Sequence, residues 1–570
     1  MSASTECNPS SPIDNLRIGT ILEVDGTHII CEFDADITEL TRIYEGEIYS
    51  IGQFGSIVRI HFGRKIIYGY VAKLRMKSDY EKERGFQVVA PSLARIIEAD
   101  LFGEGEWFFS ADVTPEKWEL QFERGVSTFP LPQQKLYLTP KNELSRILGQ
   151  SKGPTVLIGE HVGSAGTPCY ADMNELLGKH TAVLGSTGSG KSGCVSAILH
   201  SILERGSRCS YQNWHPKIVI LDPHNEYKQA FSDAIRYSTD EGNLLLPYWL
   251  LNLQECLNLY IGKTEFLATS QANVVKMALL SARKSGAAIL RIDPTGINVD
   301  SPVPYSLEVF INEVNSLRPQ GRDKKEQEPF NSVLNKLDVL RRDDRMSFIM
   351  KDWDGASDSF PEVVSQICGG LESVRIVDLS GVPNEVAGLA SAAIARILFS
   401  IKVWQSPTER ANYPVLLVCE EAHRYVPNRG EAQYEAAQEA IKRLAKEGRK
   451  YGIGLMLVSQ RPSEVESTVL SQCNSWIVLR ITNDSDREHV RAILPDSLSG
   501  LSKILSGLRK REAVFVGQAA MLPSRIIIRE LTHNELPNSH DIDFNSGWQN
   551  ACVSKEQLLE IGNKWRFQRK

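Results

Sequence analysis

From about residue 18 to residue 94, hydrophobic and polar positions alternate over short runs, at 19–26, 27–33, 56–62 and 65–74. A period of two belongs to strands with one buried face, and Asp25-Gly26 is a hairpin signal. Residues 1–95 are therefore expected to form a small β-barrel or sandwich. The strand-rich texture continues through 96–154, where Pro130, Pro132 and Pro140 mark loops or sheet edges and 142–148 has a helical period. This stretch reads as a connector that packs on the barrel or on the core C-terminal to it.

At Thr155 the texture changes. Continuous apolar runs at 181–184, 218–221, 373–379, 415–419, 454–459, 476–480 and 513–516 alternate with longer segments of helical period, the pattern of βαβ units. The fold class is α/β, with a core in two parts, 155–250 and 362–531. Between them, 251–361 has helical spacing of Phe266, Val274, Val275, Ala278, Leu279 and Leu280 and is expected to be a helical insertion. Within it, 318–329 is charged and apolar-poor, which predicts a solvated loop. Residues 532–570 form a polar C-terminal extension, and no internal repeat is visible.

Composition changes the picture in a few places. With 570 residues the chain is too long for one simple core and suggests three to four structural units. Hydrophobic residues at 42% and charged residues at 24% exclude wholesale disorder and fibrous architectures. The start Met1-Ser2-Ala3-Ser4-Thr5-Glu6 has no signal-peptide character and no apolar run reaches membrane-spanning length, so a soluble, cytoplasmic protein without membrane attachment is expected. The 10 cysteines are scattered from Cys7 to Cys552 without a CxxC pair, so reduced thiols are the default. A formal charge of −6 removes any global positive field, so a site for a polyanion has to be local.

The chemistry begins at Gly185-Ser186-Thr187-Gly188-Ser189-Gly190-Lys191-Ser192, a full GxxxxGKS phosphate loop between a strand and a helix start. Glycines let backbone N–H groups converge on phosphate oxygens at the helix N-terminus, Lys191 reaches the β and γ phosphates, and Ser192 holds Mg²⁺. The buried run Val415-Leu416-Leu417-Val418-Cys419 then delivers Glu420 and Glu421 at its C-terminal end, where ligands sit in open α/β sheets. Glu420 is placed to bind Mg²⁺ through water, and Glu421 to act as general base on an attacking water. Ile218-Val219-Ile220-Leu221-Asp222 and Leu455-Met456-Leu457-Val458-Ser459 end in polar groups at the same edge. Gln460 is a candidate to orient the water, or else a plain strand-end amide. The helix between these last motifs ends in Lys442, Arg443, Lys446, Arg449 and Lys450, with Gly448 as its expected cap. Arg449 is either a solvated charge near a helix C-terminus or an arginine finger given across a subunit interface. Cys419 with His423, or Cys209 with His215, makes no four-ligand metal set.

In this order the motifs resemble the HerA family, hexameric DNA-translocating ATPases related to the FtsK pumps. The resemblance is carried by Lys179-His180-Thr181 through Ser192, Asp222-Pro223-His224-Asn225-Glu226-Tyr227, Glu420-Glu421-Ala422-His423, the segment from Arg443 to Gly452, and Ser459-Gln460-Arg461-Pro462. It covers about 155–530, and the amino-terminal strands fit the family's barrel. It implies a RecA-like P-loop ATPase core with a helical insertion, preceded by an N-terminal β-barrel domain. It further implies a homohexamer with ATP and Mg²⁺ at subunit interfaces and double-stranded DNA in the channel. Lys191, Ser192, Glu420, Glu421 and Gln460 match motif positions, and Arg449 matches the segment giving the trans contact, a task Lys450 or Arg461 could share. Asn225 stands where the family often has Gly, and Glu420 replaces the commoner Asp. The implied function is ATP-dependent DNA translocation or unwinding in DNA repair or antiviral defence. A separate nuclease or sirtuin-like effector is expected to dock on the barrel. The alternative is an ATP-regulated ring scaffold that activates a partner enzyme; a secretion ATPase is less supported because no membrane anchor is visible.

Overall fold

The computed structural model describes residues 11–37, 39–53, 55–85, 94–110, 117–149, 153–162, 166–211, 213–261, 268–319, 324–382, 384–428, 435–493, 504–538, 543–549 and 553–567. Phe266, Cys7, Cys552 and the last three residues of the chain lie outside them. The amino-terminal elements are β1 (Arg17–Asp25), β2 (His28–Phe33), β3 (Thr41–Tyr44), β4 (Glu47–Ser50), β5 (Ile57–Phe62), β6 (Lys65–Met76), α1 (Lys77–Glu83), β7 (Arg95–Ser110), β8 (Lys117–Arg124), β9 (Lys135–Leu138) and α2 (Lys141–Gly149). Next come β10 (Thr155–His161), β11 (Pro168–Asp172), α3 (Met173–Gly178), β12 (Thr181–Leu184), α4 (Lys191–Arg208), β13 (Lys217–Asp222) and β14 (Ile235–Ser238). The insertion holds α5 (Leu253–Tyr260), α6 (Ala268–Ile289), α7 (Leu307–Ser316), α8 (Lys324–Arg342), α9 (Ser347–Met350) and α10 (Phe360–Cys368). The chain continues through β15 (Val374–Asp378), α11 (Asn384–Trp404), α12 (Pro407–Asn412), β16 (Val415–Cys419), α13 (Glu435–Glu447), β17 (Ile453–Ser459), α14 (Ser467–Leu470), β18 (Ser475–Leu479), α15 (Asp484–Ile493), β19 (Glu512–Gly517) and β20 (Ser524–Ile528).

Two structural units divide the chain, one of residues 1–176, 183–201 and 474–530, the other of 177–182, 202–473 and 531–570. In the first, β2, β1, β9, β5, β6 and β7 pair in that order, and β7 returns to β2 with Cys31 opposite Ile97. The strands thus close into a barrel, which leaves no open edge among them. Closure requires β7 and β9, so residue 95 does not bound the barrel, and the stretch 96–154 supplies two of its strands. The reason is the length of β7: its 16 residues line the barrel wall and then run on to pair with β8. Ile18, Ile29, Val58, Ile60, Ile67, Ile97 and Leu136 fill the interior. The expected helix at 142–148 is α2. Its Leu144, Ile147 and Leu148 pack with Ile57, Ile66, Tyr68 and Trp107 of the barrel and with Leu522 between β19 and β20. The guanidinium of Arg124 donates to the carbonyl of Ala520 across the same junction. The unit is completed by antiparallel neighbours in the order β11, β10, β20, β19, β18.

The second unit contains the parallel strands β17, β16, β13, β15 and β14. Every residue of β15, β16 and β17 is buried, as continuous apolar runs require when helices cover both faces. One of those helices, α11, contains a 19-residue stretch (Val386–Trp404) of mean hydropathy 1.7, long and apolar enough by composition to cross a membrane, yet 78% buried inside the protein. Its ionic groups are satisfied there: Arg396 pairs with Glu255 at 2.8 Å and Lys402 donates to the carbonyl of Tyr413. The solvated loop expected at 318–329 is corrected by α8, which starts at Lys324 and carries Pro329 inside it. Burial of Pro329, Phe330, Val333, Leu337 and Leu340 along one stripe outweighs the hydrogen bond that proline cannot donate.

Candidate active site

The phosphate loop lies in the first unit, between β12 and the N-terminus of the 18-residue helix α4. Gly188 and Gly190 have φ of +72° and +99°, a backbone that a side chain strains. At Gly185 a Cβ would come within 2.6 Å of the Ser189 Oγ and 2.9 Å of the Leu479 Cβ, so the strand can enter the loop this closely only without one. Ser186 fastens the loop to the segment after β18: its N–H donates to the Arg480 carbonyl at 2.8 Å, and its hydroxyl accepts the Thr482 N–H at 3.1 Å. Lys191, only 9% exposed, lays its ammonium across the loop and donates to the Ser186 carbonyl at 3.3 Å. The Ser189 Oγ is buried without a hydrogen-bond partner. Thr187 is exposed at the tip, and Ser192 is the second residue of α4. A buried cation, an orphan hydroxyl and a helix N-terminus fit an oligophosphate.

In the second unit, β16 ends at Cys419 and delivers Glu420 and Glu421, 5% and 8% exposed. Neither is solvated. The Tyr227 hydroxyl donates to Glu420, and burial pushes that carboxyl up to about 8, with Glu226, Glu421 and Asp222 adding repulsion. A buried carboxylate crowded by other acids favours a cation beside it, though among the described residues no three His, Cys, Asp or Glu side chains converge into a metal-binding group, so Glu420 fits a cation that takes its remaining ligands from phosphate and water. Glu421 adopts φ +52° and ψ +51°, a left-handed conformation uncommon for a glutamate. Next to β16, β13 brings Asp222, whose carboxylate accepts the N–H groups of His224 at 3.2 Å and Tyr227 at 3.0 Å. That turn needs φ +56° at Asn225, which an asparagine tolerates where glycine is commoner. The tyrosine's hold on Glu420 was not legible in the sequence, because it depends on how the turn after β13 folds back.

The register Cys419↔Leu457 between β16 and β17 sets Glu420 and Glu421 level with the end of β17, where Ser459, Gln460 and Arg461 emerge. Arg449 is elsewhere. It lies before the start of β17, in a single turn Gly448–Tyr451, while Gln460 follows its end; seven residues of strand separate them by roughly 20 Å. Arg449 and Lys450 are exposed. The helix cap expected at Gly448 is corrected as well: α13 tightens into that turn, buries Gly448, and reaches the left-handed residue only at Gly452, with φ +71°. Arg410 stacks over Tyr451 at 4.7 Å, and Phe399 meets the same ring edge-on, which holds the turn in place.

Fold and site together define a P-loop ATPase with a RecA-like core and an N-terminal barrel. The family described as "Helicase HerA, central domain" matches residues 156–398. The chain is 27% identical to the DNA double-strand break repair helicase HerA of Sulfolobus acidocaldarius over 433 residues, covering 74% of this chain and 78% of that protein. It is likewise 27% identical to the HerA of Pyrococcus furiosus over 405 residues, covering 63% and 66%. Among solved structures, VirB4 of Thermoanaerobacter pseudethanolicus is similar with a TM-score of 0.47 and 16% identity, over 67% of this chain and 99% of that one. Along its core the chain is therefore similar to ATPases of the HerA family.

Proposed function

We propose that this protein hydrolyses ATP and uses the reaction to move along or unwind double-stranded DNA as a homohexameric ring. The observation that carries the reading is the pair of buried acids at the end of β16, in a chain that also holds a complete phosphate loop. Gly185, Ser186, Thr187, Gly188, Ser189 and Gly190 cradle the phosphates and Lys191 neutralises their β and γ oxygens. Ser192 and Glu420 would hold Mg²⁺, which when bound would add to the neutralisation of phosphate charge. Glu421 accepts a proton from water as its oxygen attacks the γ phosphorus; the bond from that phosphorus to the bridging oxygen breaks, and ADP leaves with that electron pair. Gln460 orients the water. Arg449, at the far end of β17 from Glu421, acts in the site of a neighbouring subunit, where a fixed guanidinium stabilises transition-state charge.

The relatives named as double-strand break repair helicases support DNA as the substrate and repair as the setting. We further propose that the barrel docks a separate nuclease or sirtuin-like effector, in repair or antiviral defence; a pull-down that recovers the protein alone counts against this. The test of the main reading is the ATP hydrolysis rate with and without linear double-stranded DNA, with Lys191→Ala as the contamination control. Stimulation by DNA supports a translocase. Hydrolysis indifferent to DNA overturns it in favour of a ring scaffold whose stimulus is a protein partner.

A further inference from the structure

The left-handed backbone at Glu421 bends the chain back over the base itself. From that residue the chain enters a tight turn in which the Arg424 N–H donates to the Glu421 carbonyl at 2.8 Å, and the turn carries His423 over the Glu421 side chain. The His423 Nδ1 sits 3.2 Å from the Glu421 Oε2, close enough for an ion pair but not aligned as a hydrogen bond, and that oxygen is buried with no hydrogen-bond partner. The same Nδ1 lies 3.4 Å from the Ser459 Oγ, and that hydroxyl accepts the Arg461 N–H at 3.1 Å. One nitrogen thus stands between the carboxylate of the base and the end of β17. It cannot serve both in the same way. Turned slightly and carrying a proton, Nδ1 can donate to Glu421; without one, it accepts the Ser459 hydroxyl proton and leaves Glu421 free. Burial lowers the imidazole from its ordinary range, against the pull of Glu421 and Glu464.

Resting on the reading of Glu421 as general base, we propose that His423 is a positioning residue that couples Glu421 to the Ser459-Gln460-Arg461 end of β17. It steadies the carboxylate for the attacking water, and the strand end, through Ser459, sets how the ring nitrogen is shared. His423 touches no reacting atom; it acts through Glu421. The arrangement gives Gln460, the residue next to Ser459 along the backbone, a route by which an occupied site is reported to the base.

The test is steady-state ATP hydrolysis by the full chain carrying His423→Ala, His423→Asn, Ser459→Ala and the double variant, with nucleotide binding measured separately. His423→Ala should lower kcat roughly tenfold or more with KM for ATP changed little, a share of what a general base contributes. His423→Asn, whose amide nitrogen falls near the position of Nδ1, should recover most of that loss. Ser459→Ala should lower kcat by a smaller factor, and the double variant should be no worse than His423→Ala, since Ser459 reaches Glu421 only through His423. Unchanged kcat in His423→Ala, a loss that Asn does not rescue, or additive losses would each overturn the proposal. Glu421→Gln separates the two readings: if it keeps wild-type turnover, the assignment of the base fails; if it loses turnover while His423→Ala does not, only the coupling fails.

Discussion

The barrel is fastened to α2 by an ion pair that no solvent reaches, and replacing Arg59 by Met tests what that pair contributes. Arg59 on β5 donates to Glu143 at 2.5 Å, and the Tyr68 hydroxyl on β6 donates to the other carboxylate oxygen at 2.5 Å; the Arg59 and Glu143 side chains are 0% and 2% exposed. Burial pushes the Glu143 carboxyl up, and Arg59 and Tyr68 pull it back. In Arg59→Met the carboxylate remains buried with one neutral donor, so the loss is about 3–5 kcal/mol, a large part of the total stability of an ordinary domain. Arg59→Met with Glu143→Leu should recover most of it, because a buried pair nearly breaks even against apolar residues of similar volume. The pH dependence comes from the direction of the shift. With its folded pKa above the unfolded value, Glu143 takes up a proton more readily in the native state, so its unfavourable contribution fades as pH falls through that window. Removing Arg59 leaves burial less opposed and widens the window, so the gap between variant and wild type should narrow on acidification. The chain has two units and will not unfold in one step, so the assay is native-state hydrogen exchange at the β5 and β6 amides. A loss of about 3 kcal/mol appears there as exchange roughly 150-fold faster. A change below about tenfold, or a double variant as unstable as the sum of the two singles, would refute the reasoning.

Glu421→Gln should bind ATP as the wild type does but turn it over roughly 100-fold to 10,000-fold more slowly, measured by equilibrium binding alongside phosphate release. Lys191→Ala and Arg449→Ala should each be inactive alone. Mixed, they should regain hydrolysis, because a site with Lys191 from one subunit and Arg449 from its neighbour is complete; a mixture as inactive as its parts would place Arg449 outside the site. His180 is held down to about 4 by burial from an ordinary 6.5, and its Nδ1 accepts the Leu455 N–H at 3.1 Å. Its contribution is whole above pH 6.5 and is lost as pH falls towards 4, about 3 kcal/mol across the window. His180→Asn keeps an acceptor and tolerates the φ of +59° at this position, so native-state hydrogen exchange at the Leu455 amide should show it losing less protection than wild type between pH 6.5 and 4.

Most strands of the parallel sheet were legible because they are apolar runs with no alternative to burial, and β13, β15, β16 and β17 fall where the pattern puts them to within a residue or so, whereas β14 is short and half-buried and was not expected. The phosphate loop was legible for a different reason: glycine spacing is a statement about local backbone, and Gly188 and Gly190 do take the left-handed conformations it implies. Elements whose state depends on distant partners were not. The segment 318–329 looks solvated until the stripe from Pro329 to Leu340 is buried, and the barrel looks finished at residue 95 until β7 and β9 are seen to close it.

By itself, then, the sequence determined the class of the protein, the positions of most core strands along the chain and the residue types offered to a nucleotide, because periodicity and glycine placement act over a few residues. Tertiary structure alone decided the rest. Strand register brings Glu421 level with the end of β17 and leaves Arg449 at the opposite end, the turn after β13 brings Tyr227 to Glu420, and a left-handed glutamate turns His423 back onto its own carboxylate. Each of those contacts depends on where the backbone turns and which strands pair, and such long-range geometry leaves no periodic trace in the order of residues.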